Sequence, residues 1–335
     1  MINLDSQIID ISLTSIAIVL YAELHYRFKF IGSRYFKNEP EILADSPYRI
    51  EPNMKIPILL LIKDANKFPI KLNDVLITFY QSDEKKYSKS FSFNKYLDKK
   101  WWYRTILLDQ NDLSGSVKVQ VEFSYNINNK KKKCITHNYP QSSNKILNIN
   151  ISNYNYPRDE YVQYGDIHYH TNLTEDMLEF GAPLDATALT ASALGLDFFC
   201  NTDHSYDLDD KIDSWTETDP DLKKWNVSRK QIKKINDNPK YQAIVIPSEE
   251  LSLHNHKGKN IHALILNNSS FLPGEGDGAE KLFDFNSTYN TKTVFNVLEE
   301  GAVCIPAHPF NHVPFFQNVF FKRGTWEGED ILNNK

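Results

Sequence analysis

Hydrophobic and polar positions divide the chain into two parts with different periods. Up to about residue 155 the apolar residues come in short runs. Residues 56–62 are almost continuously apolar, and 74–80, 90–93, 105–108, 117–125 and 146–151 are brief segments rich in β-branched and aromatic side chains. Turn-forming clusters at 51–53, 64–66, 109–112 and 126–133 separate them. An earlier stretch, 12–28, reads as further strand. This pattern predicts an all-β, sandwich-like domain over 1–155, of immunoglobulin-like type. Trp101-Trp102-Tyr103 fit a core anchor, and Lys130–Lys133 a solvated hairpin tip.

After a polar, proline-containing linker at 152–161 the pattern changes. Strands are predicted at 164–168, 197–200, 243–246, 261–266 and 302–306. They alternate with helical periodicity at 183–194, 223–236 and 291–300, and Gly195 and Gly301 stand where two of those helices should stop. Strand–helix alternation predicts an α/β domain with a largely parallel sheet over 156–335.

The chemistry-bearing residues fall at the ends of these strands. One strand runs into His168-Tyr169-His170, another into Asp203-His204, a third into Glu249-Glu250, and a fourth into His308. His262 opens or lies within a fifth. In parallel α/β folds the strand C-termini converge on the functional face. His168 and His170, two apart on extended chain, project from one face and can share an ion. Taken singly, each motif is weak; together they supply several imidazoles and at least one carboxylate. That mixture suits Zn, Mn or Fe better than Ca or Mg alone. His254, His256, Lys257 and Lys259 form a polar loop that fits either a substrate phosphate or plain solvation.

Composition narrows the field further. A net charge of -5 argues against a chain held to nucleic acid by bulk positive charge. The three cysteines are widely spaced, which argues against a disulfide framework and for a reducing, cytoplasmic setting. Cys200 and Cys304, in apolar runs, are expected to be buried. The most apolar early stretch, 8–22, contains Asp10 and is short for a bilayer span, so no membrane segment is expected.

Read in order, Gly165-Asp166-Ile167-His168-Tyr169-His170-Thr171-Asn172, Asn201-Thr202-Asp203-His204, Ser248-Glu249-Glu250-Leu251-Ser252, Ile261-His262-Ala263-Leu264 and Ala307-His308-Pro309 closely resemble the PHP (polymerase and histidinol phosphatase) superfamily. The resemblance covers about 164–309 and points to a poorly characterised bacterial branch. It implies a distorted (β/α)7 barrel of TIM-like kind, two or three divalent metal ions, and hydrolysis of a small-molecule phosphoester. It also implies roles. His168, His170 and Glu250 would hold one ion. Glu250 would bridge to a second, held also by His262 and His308. His204, with Asp176 or Glu175, would approach a third, and Asp203 would orient an imidazole. The family's late Asp-x-His motif has no counterpart after His308, where Asp330 and His312 are the nearest substitutes. That departure leads us to expect a C-terminally truncated barrel whose third site is short of a ligand. Hydrolysis of an amide or cyclic amide, and metal binding without catalysis, stay open as alternatives.

Overall fold

Residues 38–139, 145–175, 180–212, 214, 217–276, 284–310, 312–313, 315–320 and 322–332 are described by the computed structural model. The segments expected at 8–22 and 12–28 lie wholly outside them, and so does Asp176. By internal contacts the described chain divides into two units, 38–163 with 189–197, and 164–188 with 198–332.

The first unit contains β1 (Glu41–Asp45), β2 (Arg49–Ile50), β3 (Ile56–Lys63), β4 (Ile70–Gln81), β5 (Glu84–Leu97), β6 (Trp101–Leu108), β7 (Gly115–Ile127), β8 (Lys130–Ile135) and β9 (Leu147–Ile151). One sheet has the order β1-β3-β6; the other runs β2-β9-β7-β4-β5, with β8 also paired to β7. Along β7, Val117, Val119, Val121, Phe123 and Tyr125 are buried and alternate with more exposed, mostly polar residues. This is the period-two pattern of a strand with one face inward. They join Ile56, Ile58, Leu60 and Ile62 of β3 in a single apolar cluster drawn from both sheets, the arrangement of a β-sandwich. Each such side chain contributes roughly 1.5–3 kcal/mol by leaving water. Trp102 packs against this cluster and meets the Phe93 ring edge-on at 5.3 Å. Two-residue turns with both residues at positive φ, Ser82-Asp83 and Asn128-Asn129, close the β4–β5 and β7–β8 hairpins. The second turn corrects the hairpin-tip reading of Lys130–Lys133. Two asparagines suffice for the reversal, so the lysines lie in β8, where Lys133 pairs with Glu122 at 2.8 Å.

The second unit is built on β10 (Gly165–Tyr169), β11 (Phe198–Asn201), β12 (Ile244–His254), β13 (Asn260–Leu266) and β14 (Val303–Pro306), in that order across one sheet. β10, β11 and the first half of β12 are parallel, whereas β12–β13 and β13–β14 are antiparallel. The expected largely parallel, TIM-like (β/α)7 barrel is therefore overturned: the sheets are mixed or antiparallel and helices are few. The physical cause is a hairpin. Only residues 255–259 separate β12 from β13, whereas parallel neighbours need a crossover of about a dozen residues or more. The expected helix at 291–300 is reduced to a 3-10 turn, Val294–Asn296.

Two helix expectations match. The helix Lys223–Asn236 buries Trp225, Ser228, Ile232 and Ile235, spaced three or four apart, and carries Lys233 and Lys234 at its negative end. Gly195, at φ +81, follows the helix Leu184–Leu194. Cys200 is buried in β11 as expected, whereas Cys304, also expected to be buried, is half-buried in β14; burial pushes both thiols up to about 11. Among the described residues no helix is long and apolar enough to cross a membrane.

Candidate metal centre

β12 changes partner halfway along its length, and the site lies at the change. Its register pairs Glu250 with Leu264 and Ser252 with His262. Directly opposed residues share a face and side chains alternate along a strand, so Glu250, Ser252 and His262 point the same way and Glu249 the other. The register thus selects Glu250 over its neighbour. Glu249 and Glu250 were expected just beyond a strand ending at Ile246. They lie inside β12 instead, because the strand continues as the outer arm of the hairpin.

The Glu250 carboxylate is fully buried and ringed by imidazoles. Its Oε2 lies 2.8 Å from His170 Nε2, 2.9 Å from His168 Nε2 and 3.4 Å from His204 Nδ1. Its Oε1 lies 2.8 Å from His262 Nδ1 and 3.3 Å from His308 Nε2. His168 Nε2 and His170 Nε2 are themselves only 3.1 Å apart. Burial would raise the carboxyl's pKa, but His204, His262, His168 and His170 outweigh it and hold Glu250 well below the usual carboxylate range. Burial also lowers His262, which favours its neutral form. Two three-residue groups, His168–His170–Glu250 and His204–Glu250–His262, have ligand atoms close enough for one ion each, and Glu250 belongs to both.

The surrounding chain fixes these side chains in place. His168 lies in β10 and His170 follows it, with a register shift in the β10–β11 pairing between Asp166 and Tyr169. The loop after His170 is tied to Asp203. That buried carboxylate accepts from Thr171 N (2.6 Å), Thr171 Oγ1 (2.8 Å), Thr174 N (3.3 Å) and Asn201 Nδ2 (2.6 Å). Asp203 therefore anchors the ligand-bearing loop, where an imidazole-orienting contact was expected. Gly181 packs against the same loop, and a Cβ there would come within 1.9 Å of the His170 carbonyl oxygen. His308 follows β14 with φ +48, a left-handed conformation that costs a non-glycine residue energy and often marks functional positions.

Other placements differ from expectation. His204 sits against the His170 ring at 4.5 Å and the His262 ring at 5.3 Å, inside the cluster and not at its edge. Glu175 forms a backbone bridge with Phe180. Asp330 accepts from the His256 backbone at 2.7 Å and lies 3.1 Å from its ring. Lys257 pairs with Glu327 at 2.6 Å, Lys259 Nζ donates to Asn318 O at 3.0 Å, and His254 Nε2 lies 2.8 Å from Phe285 O. That loop is engaged in internal contacts. His312 is exposed. Sequence reasoning missed Arg323, whose Nη1 lies 3.0 Å from His262 Nε2. It stands 61 residues from its partner, and no spacing signals the contact.

The donor set fits a transition-metal ion. Imidazole nitrogens and a shared carboxylate are borderline ligands of the kind that Zn, Mn and Fe take. The Ser252 hydroxyl, on the same face as Glu250, is buried with no hydrogen-bond partner among the described residues. His308 is the most exposed of the five imidazoles, its side chain 47% accessible. His308→Ala should therefore change folding stability by no more than about 0.5 kcal/mol. It should also weaken retention of one ion by about 10–100-fold. His308→Gly should match that metal defect yet unfold about 1 kcal/mol later than His308→Ala, because glycine relieves the left-handed backbone. Metal titration and chemical denaturation of the two variants check both statements.

No protein-family model matches the chain, and no curated protein sequence matches it either.

Proposed function

We propose that this chain is a metal-dependent hydrolase acting on a small-molecule phosphoester. One observation carries the reading: the buried Glu250 carboxylate is shared by two groups of three ligand-type residues. His168, His170 and Glu250 would hold one divalent ion, and His204, Glu250 and His262, with His308 beside them, a second. When bound, such a pair supplies Lewis acidity, making water a nucleophile at neutral pH and offsetting negative charge on a phosphoryl oxygen.

The chain's own residues prepare the site for this. Glu250 is held ionised by its imidazoles, so no proton has to leave before it can bind an ion. Asp203 holds the loop that follows His170. His308, open to solvent, stands where a substrate would enter. One carboxylate against two divalent ions leaves a positive centre, which favours an anionic ester over a neutral amide. Thiol chemistry is a poor competitor, since Cys200 and Cys304 are pushed up to about 11 and carry little thiolate at neutral pH. The ordered PHP-like motifs support the same reading, and three widely spaced cysteines suit a reducing compartment such as the cytoplasm.

The test is turnover of a generic aryl phosphate by the full chain, loaded with Mn or Zn, beside an aryl amide. Metal-dependent phosphate release, abolished by chelator and restored by metal, is the expected result. Preferential amide cleavage would overturn the substrate class. Tight metal retention without hydrolysis of either compound would leave a metal-binding protein in place of an enzyme.

A further inference from the structure

The segment 322–326 places a guanidinium against a site imidazole, and its backbone is firmly held. Asn260 N donates to Lys322 O at 2.9 Å, and Gly324 N to Asn260 O at 2.7 Å. Arg323 N donates to Gln317 O at 3.2 Å, and Asn318 Nδ2 to Arg323 O at 3.0 Å. Trp326 Nε1 donates to the His262 carbonyl at 2.9 Å. At Gly324 a Cβ would come within 2.5 Å of the Lys259 Cβ, so the chain approaches here as closely as glycine allows. The peptide is thus fixed on both sides of Arg323, and its Nη1 reaches His262 Nε2 at 3.0 Å.

This contact conflicts with metal binding. Arginine only donates, so His262 Nε2 accepts, and the ring hydrogen sits on Nδ1, facing Glu250 Oε1 at 2.8 Å. A neutral imidazole that offers Nδ1 to an ion carries its hydrogen on Nε2. It would then face Arg323 donor to donor. The guanidinium therefore keeps this contact only while His262 holds no ion. Released, it remains tethered beside a positive centre, where an anion is its natural partner. Its planar fork matches two oxygens of a phosphoryl group.

Building on the phosphoester reading above, we propose that Arg323 is the residue that recognises the substrate's anionic group, exchanging His262 for a phosphoryl oxygen as the centre fills. The proposal separates Arg323 from a simple prop for His262, because a prop would strengthen metal binding and this arginine opposes it.

The experiment compares the full-length wild type with Arg323→Met and Arg323→Lys. Zn affinity is measured by competition with a chelating dye, and binding of inorganic phosphate to the loaded proteins by calorimetry. Arg323→Met should hold Zn about 2–10-fold more tightly, since one competing hydrogen bond is gone. It should bind phosphate about 10–100-fold more weakly, the worth of a charge-assisted pair. Arg323→Lys, which keeps the charge without the fork, should recover part of the phosphate affinity. With an aryl phosphate, Arg323→Met should raise KM more than it lowers kcat. Unchanged phosphate binding in Arg323→Met would overturn the proposal, as would weakened Zn binding, the mark of a structural prop. Arginine-dependent phosphate binding without turnover would support the anion role while removing the hydrolase reading. A wild type that binds no metal would overturn both.

Discussion

Glu250→Gln should empty both ion positions at once, a larger effect than any single imidazole substitution can have. The reason is its place in the site. Glu250 belongs to both three-residue groups, one oxygen facing His168 and His170, the other facing His262 and His308. Loss of a supporting contact alone commonly costs about 10–100-fold in metal affinity, so loss of a charged, shared ligand should cost at least about 100-fold at each position. Folding should survive. Glutamine has nearly the same shape and can still hydrogen-bond, so the fold is kept although the stabilisation of the carboxylate by its imidazoles is lost. Bound metal per chain, measured by atomic emission after gel filtration, should fall from two to near zero. A second readout is linkage: an ion that binds only the folded chain raises its melting temperature with concentration. Wild type should show that rise and Glu250→Gln should not. A variant that still carried two ions would remove Glu250 from the centre of the site and the proposed function with it.

Particular residues show why the sequence revealed the candidate ligands better than the sheet that carries them. His168, His170, His204, Glu250, His262 and His308 were all legible because ligand-type residues stand out against apolar runs such as 198–200 and 303–305. The helix Lys223–Asn236 was legible from its apolar spacing, and the end of Leu184–Leu194 from Gly195. The hairpin β12–β13 was not. Pro247-Ser248-Glu249-Glu250 looks like the close of a strand, since consecutive carboxylates are expensive inside a sheet. Here both are buried. Glu250 is offset by imidazoles, while Glu249 takes a hydrogen bond from Ser205 at 3.0 Å and lies near Arg229. Those partners come from distant positions that local pattern cannot register. With the strand ended too early, a largely parallel sheet was expected where five residues make an antiparallel turn, and the expected barrel came with the family resemblance. Arg323 escaped for the same reason: its position is set by pairing with Asn260, far back along the chain.

The second buried carboxylate gives the other large effect, on stability and in the opposite pH sense to Glu250. Burial, eased only partly by Arg229 and the Ser205 hydroxyl, pushes Glu249 from the ordinary 4.5 up to about 8. The unfolded chain gives up this proton near 4.5 and the folded chain keeps it until about 8. Between those values the folded state binds more protons, so its stability falls as pH rises. The contribution is whole below the unfolded value and lost above the folded one, and its size is on the order of 3–5 kcal/mol. Glu250 and His262 act the other way. Both are lowered in the folded chain, so their contributions fade on acidification. Glu249→Gln isolates the first effect, because it removes one titration and leaves the others in place. In chelator, at pH values from 5 to 8.5, the variant should lie nearest to wild type at the acid end and become progressively more stable than it toward pH 8. Urea denaturation of both proteins across that range gives the difference directly. A gap that stays constant with pH, or that opens on the acid side, would mean that Glu249 is ionised in the folded protein and paired with Arg229 as a buried salt bridge.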